Sequence, residues 1–265
     1  MSRYRIALAT RKPKTFYIAV RILKRLGLGF RSCTPEDGFC KEAKLVITTS
    51  EEEANIRHNR LLVIDDDPDE TTTALDIMIH YLSDFSPQEI MIGVDPGLHN
   101  GLAVLVDGIP VFGRVLVSPI TTSALIVKLI THIRLRYQDS FLVTRIGLGS
   151  KLYSTLLLRQ LLRASPNIEL ELVDERHTTT QGGYFKDQFS AEMIALRSGR
   201  AYGSEDLLID TKRGFIRGLQ HLFAWLTDKK GTLSIDQARR ILQGELTLEE
   251  VLLEYHAREK KRSTD

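Results

Sequence analysis

Short apolar runs alternate with charged and turn-forming segments along most of the chain, and their periods set the expected elements. Between residues 1 and 86, Arg5 to Thr10, Phe30 to Ser32, Leu45 to Thr49 and Leu61 to Ile64 have strand length and strand-like apolar content. Val20, Ile22, Leu23 and Leu26 mark one side of a helix that Thr15 would cap and that runs through Arg25. A second helix is expected from Thr71 to Leu82, leading through Ser86-Pro87 into the next segment. There, Ile90 to Val94, Leu102 to Val106 and Val111 to Val117 read as three strands in a meander, with a hairpin turn at Asp107-Gly108. Helix Thr122–Arg136, strand Phe141–Gly147, helix Lys151–Arg163 and strand Ile168–Val173 follow, and one long helix is expected from Ser204 to Leu226.

The alternation of short strands and helices makes residues 1–86 a small, Rossmann-like α/β domain with a parallel sheet. No Gly-x-Gly-x-x-Gly follows its first strand, which argues against dinucleotide binding. Residues 88–227 form a second α/β domain. Residues 228–265 read as a C-terminal helical hairpin. Ser234 with Gln237 and Thr247 with Glu250 have capping-box spacing, Gly244 fits the stop between them, and Leu248, Val251, Leu252 and Tyr255 share one helix face.

Charge changes this picture little. The 36 basic and 34 acidic residues leave a formal net charge of +2, so recognition of nucleic acid would need a local basic surface. The amino end lacks the apolar stretch of a signal peptide, and no apolar run has the length that spans a bilayer. The expectation is a cytoplasmic protein that does not enter a membrane. Cys33 and Cys40, without a second ligand pair, are poorly spaced for a metal and are expected as reduced thiols.

Three acidic positions in the second domain carry candidate chemistry. Asp95 ends a buried strand and is followed by Pro96-Gly97, a place where open α/β sheets put their ligands. A polar strand cap in a tight turn would look the same. Asp174-Glu175 end another apolar strand and lead into Arg176, His177, Thr178 and Thr179, a set equally suited to capping a following helix. Asp206 and Asp210, four residues apart, would share a face of the expected last helix, where acids also complement the dipole. Lys212, Arg213 and Arg217 continue as a basic stripe with the sign for phosphate contacts. In the first domain, the acidic run Asp65–Glu70 is expected as a solvated loop and helix start, and the basic loop Arg11–Lys14 as an exposed turn. Trp225 is expected in the core, and His99 and His177 at the surface or behind the site.

Four of these motifs, in order over residues 88–227, resemble the RuvC/YqgF-type Holliday-junction resolvase-like family of the ribonuclease H-like superfamily. Ile92-Gly-Val-Asp-Pro-Gly97 with Gly101-Leu-Ala-Val-Leu105 is similar to its first strand–turn–strand, and Ile146-Gly-Leu-Gly149 to its glycine-containing loop. Asp174-Glu-Arg-His-Thr-Thr179 is similar to the Asp-Glu-Arg-x-Thr-Thr motif, and Asp210 to the last helical aspartate. The resemblance implies a ribonuclease H-like five-stranded mixed sheet of order 3-2-1-4-5. It implies a nuclease that uses Mg2+ or Mn2+ on branched DNA or structured RNA. Asp95, Glu175 and Asp210 would be the catalytic metal ligands, with Asp206 a fourth; Glu175 is favoured over Asp174 because its longer side chain reaches further inward. Arg176, Thr178, Thr179, Lys212, Arg213 and Arg217 would touch nucleic acid. A symmetric resolvase would also be a homodimer, since two related nicks need two sites. The alternative is a protein that keeps the fold and binds nucleic acid with little or no catalysis. Actin-like ATPases and sugar kinases share a Gly-x-Asp-x-Gly first strand, but they need a duplicated domain that this sequence lacks.

Overall fold

The computed structural model describes residues 5–37, 40, 42–83, 86–174 and 186–262. It is a mixed α/β protein whose chain divides into two compact units, Met1–Gln88 and Glu89–Asp265.

The first unit contains β1 (Ile6–Ala9), α1 (Pro13–Arg25), β2 (Phe30–Cys33), β3 (Leu45–Thr49), β4 (Leu61–Ile64) and α2 (Glu70–Leu82). Its four strands are all parallel, in the order β2-β1-β3-β4. Strand alternation sorts the residues into two layers. Ile6, Leu8, Leu45, Ile47 and Leu62 meet Ala19, Ile22 and Leu23 of α1 and Ala74 and Ile77 of α2. The small residues Ala7 and Ala9, with Val46, face the other way and are covered by Cys40 and Ile56. Asp69 caps α2 by accepting from the Thr71 and Thr72 amides at 3.1 and 3.0 Å. Thr15 does not cap α1. Pro13 takes the first helical position, where its missing N–H is harmless, and the buried Thr15 hydroxyl donates to the Asp66 carbonyl at 2.9 Å. Nor are the cysteines thiols: the segment that covers the sheet brings the Cα atoms of Cys33 and Cys40 to 6.4 Å, and a disulfide joins them.

The second unit begins with the meander β5 (Glu89–Asp95), β6 (Asn100–Val106) and β7 (Ile109–Leu116), turned at Asp107-Gly108 with φ of 49° and 80°. Then come α3 (Pro119–Arg136), β8 (Phe141–Gly147), α4 (Lys151–Ala164), β9 (Leu170–Val173), α5 (Lys186–Ala195) and β10 (Arg200–Ala201). Helices α6 (Arg213–Leu226), α7 (Ile235–Gln243) and α8 (Leu248–Arg262) complete it. The mixed sheet has six strands in the order β10-β9-β8-β5-β6-β7, not the five expected. The sixth is the two-residue β10, antiparallel to β9, too short to leave a pattern in the sequence.

Helix α5 is the other element that the apolar pattern missed. It lies on the sheet face formed by Met91, Ala103, Leu105 and Val143, packing the small residues Ala191 and Ala195 against it. Its backbone sits so close that a Cβ on Gly93 would run into the Ala191 carbonyl oxygen. Arg145, ion-paired with Glu171 at 2.7 Å, donates to the Ala195 carbonyl and holds the carboxyl end of α5 down. Helix α4 packs with α6, α7 and α8 around Leu152, Leu219, Leu222, Phe223, Ile241 and Leu242. The C-terminal hairpin therefore shares a core with the rest of this unit. Both capping boxes form: Ser234 exchanges bonds with Gln237, and Thr247 with Glu250. Gly244 ends α7 at φ 82°.

The expected long helix Ser204–Leu226 is broken. Ser204–Leu207 is a 3-10 turn, residues 208–212 are not helical, and α6 starts at Arg213. The cause lies in carbonyl competition. Asp206 O accepts from the Thr155 hydroxyl at 3.1 Å, and Leu207 O from Arg159 Nε at 2.9 Å, so α4 takes the carbonyls that a continuous helix would have used.

Candidate functional site

Strands β5, β8 and β9 are parallel neighbours, so their carboxyl ends lie side by side. The register pairs Val94 with Ile146 and Gly147 with Val173, which puts Asp95 and Asp174 at one edge of the sheet. Two strand spacings separate their strands, about 10 Å. Asp95 is half-buried and, two residues on from Gly93, belongs to the sheet face that α5 covers. Asp174 is exposed.

Gly101 stands directly opposite Asp95 in the antiparallel pair β5–β6. A Cβ there would collide with the Asp187 carbonyl oxygen, so the first turn of α5 is seated against the strand position facing Asp95. The backbone of Asp187, a half-buried residue, thus lies at this edge. Neither motif nor spacing pointed to it. The available signal was Gly101 itself, since a glycine opposite a strand-end acid marks a close approach of backbone.

The remaining expected site residues are placed differently. Asp206 is only 6% exposed, and both its oxygens accept from Arg200 at 2.7 Å while Oδ2 also accepts from the Gly203 amide at 2.8 Å. The hydrogen bonds from Arg200 hold its carboxyl below the usual carboxylate range, with burial opposing. This carboxylate closes the 3-10 turn, and its bonding is that of a structural residue. Asp210, whose side chain is 67% exposed, pairs with Lys212 Nζ at 2.6 Å, and this bond likewise lowers its pKa, with a smaller contribution from Lys151. Because the helix is interrupted, Asp206 and Asp210 do not share a helix face. Lys212, Arg213 and Arg217 are exposed at the start of α6. Glu175, Arg176, Thr178 and Thr179, with His177, lie outside the described residues. Trp225 is 40% exposed and stacks edge-on with His99 at 5.7 Å; it is not in the core.

Carboxylate oxygens are donors for a hard divalent cation, so Asp95, Asp174 and Asp187 have suitable chemistry for Mg2+ or Mn2+. Asp206, committed to Arg200, does not. Among the described residues no group of three or more His, Cys, Asp or Glu is arranged to hold a metal ion, and none of their helices is long and apolar enough to cross a membrane.

The acidic run and the basic loop of the first unit, both possible sites by composition, face each other. Lys12 pairs with Asp66 at 2.6 Å and Glu51 at 2.9 Å, Lys14 with Asp67 at 2.8 Å, and Arg21 and Arg25 with Glu70. Compared with protein-family models and with curated proteins, the chain matches neither.

Proposed function

We propose that the second unit is a ribonuclease H-like, metal-dependent nuclease that hydrolyses phosphodiesters in structured nucleic acid, either branched DNA or structured RNA. The observation that supports this reading is that Asp95 ends a parallel strand at the sheet edge, with Asp174 at the same edge two strands away and the first turn of α5, at Asp187, seated beside the position facing Asp95. The strand order adds support: β7-β6-β5-β8-β9 runs 3-2-1-4-5 in chain order, with β10 appended outside β9. Asp95 and Glu175, with Asp187 replacing Asp206, are the residues that would hold Mg2+ or Mn2+. Such a cation supplies activation of a water and neutralisation of charge on the leaving oxygen. The chain's part is positional. Gly101 lets α5 carry Asp187 up to the position facing Asp95, Arg145 fixes the far end of α5, and Lys212, Arg213 and Arg217 offer positive charge to the phosphates.

The pairing of Asp206 with Arg200 and of Asp210 with Lys212 favours a second reading, a nucleic-acid-binding protein with weak or no catalysis. Cleavage of single-stranded, duplex, flap and four-way-junction substrates with Mn2+ separates the two. The nuclease reading expects cutting of at least one structured substrate and its loss in Asp95→Asn. Binding without cutting, or equal cutting by Asp95→Asn, overturns it. A resolvase role further requires a homodimer; light scattering that finds only monomer, with and without junction DNA, contradicts that role.

A further inference from the structure

A cavity of about 530 Å3 opens in the second unit between α4, the segment 208–212, the start of α6 and the end of α7. Its size falls within the range of small-molecule sites. Three cationic side chains, Lys151, Arg159 and Lys212, line it against one carboxylate, Asp210. Lys151 opens α4 and Lys212 precedes the first turn of α6, and neither helix start has a side-chain cap, so two positive dipole ends add to the lysine charges. The lining also includes the apolar side chains of Phe215, Leu208 and Leu242, together with Gln243.

The walls are held rigidly. Arg159 donates to the carbonyls of Leu207, Ile241 and Leu242, each at 2.9 Å, tying the 208–212 segment to the end of α7. Burial, with repulsion from Arg163, lowers the pKa of this guanidinium, though arginine stays charged at any working pH. Its donors are spent on carbonyls, so it contributes charge; Lys212 is paired with Asp210 at 2.6 Å and would exchange that carboxylate for a phosphate, and Lys151 is left to make contacts. Among the described residues the Lys151 ammonium donates to the Glu205 carbonyl, at a long 3.3 Å. Leu208 remains 67% exposed although the turn before it is anchored. A bare anion would use the lysines and leave the aromatic and aliphatic wall in water. A neutral apolar ligand would leave two of the three cations unmatched by the single carboxylate, Asp210.

We propose that this cavity binds a nucleotide, with the phosphate between Lys151 and Lys212 and the base against Phe215 and Leu208. The site shares Lys212 with the phosphate contacts proposed above but includes none of the acidic strand edge and needs no metal, so it stands whether or not the nuclease reading does. The shared chemistry is a phosphate ester of a nucleoside, supplied either free or as one unit of a strand.

Calorimetry in EDTA tests this on the full chain, with adenosine 5′-monophosphate, adenosine, inorganic phosphate and hexaadenylate as probes. The expected result is one mononucleotide per chain, bound at least about tenfold tighter than adenosine or phosphate. Lys151→Gln and Lys212→Gln, both at exposed positions, should each weaken it about tenfold. Phe215→Leu should weaken the mononucleotide and leave phosphate unchanged. Tighter binding of hexaadenylate assigns the site to a strand; equal or weaker binding assigns it to the free nucleotide, and either result upholds the ligand class. No binding of the mononucleotide at millimolar concentration overturns the proposal. So does equal binding of adenosine, or an affinity that neither lysine substitution changes.

Discussion

Both units end parallel strands in acidic residues, yet they use them in opposite ways. In the first, the five acids of Asp65–Glu70 form the densest acidic run in the sequence, and bases at the start of α1 and along it answer them: Lys12 to Asp66, Lys14 to Asp67, Arg21 and Arg25 to Glu70. In the second, Asp95 and Asp174 end strands two places apart at one sheet edge, and α5 brings the backbone of Asp187, more than ninety residues beyond Asp95, up to the position facing it. Acid density along the chain is therefore a poor guide to a site. What matters is which side chains the next helix delivers to the strand ends: bases from α1 in one unit, an acid from α5 in the other.

The largest expected effect tests the delivery of Asp187. Gly101→Ala places a methyl group where the Asp187 carbonyl oxygen stands, so α5 must shift or detach. A loss of about 3 kcal/mol or more in urea unfolding is expected, the upper end for overpacking. A loss below about 1 kcal/mol would mean that α5 is not seated on this strand.

Next in size is Asp206→Asn, which sharpens the distinction between structural and site carboxylates. Removing the charge that holds Arg200 should cost about 1–3 kcal/mol. Its pKa is depressed in the folded protein, so its contribution is complete above the unfolded carboxylate value and declines as pH falls through the lower folded value. Parent and variant should therefore differ in stability at neutral pH and converge in strong acid. A difference that persists unchanged in acid, or metal affinity that falls with this substitution, would contradict the structural role.

The smallest effect belongs to the first unit. Lys12→Ala removes a cation from two exposed ion pairs, and such pairs are screened by salt and add little. The melting temperature should drop less than for either variant above, and the drop should shrink in high salt. A drop as large as that of Asp206→Asn would show that the charge cluster holds the first unit together.

Much of the fold was legible because uninterrupted apolar runs end where strands end. Leu45–Thr49, Leu61–Ile64 and Phe141–Gly147 match their expected bounds, and the caps at Ser234 and Thr247 form as their spacing predicts. Helix α5 was hidden because it meets the sheet through alanine and backbone against glycine, and small residues carry little apolar signal. The break at 208–212 was hidden for a different reason. Leu207, Leu208 and Ile209 continue a helix-like pattern, and only tertiary bonds from Thr155 and Arg159 show that their carbonyls are taken. Of the candidate site, Asp95 could be read from its strand. Asp187 could not, because its place depends on a glycine eighty-six positions earlier in the sequence.

Whether Asp95 binds metal is decided by the melting temperature of Asp95→Asn with and without Mn2+. The substitution keeps the shape and removes one negative charge from an acidic edge. Without metal, the melting temperature should be unchanged or slightly raised, since repulsion among the carboxylates falls. With Mn2+, the stabilisation seen in the parent should shrink, because a ligand stabilises only as far as it binds the native state. A variant that loses about 1 kcal/mol without metal, yet responds to Mn2+ as the parent does, would make Asp95 a strand cap and contradict the account.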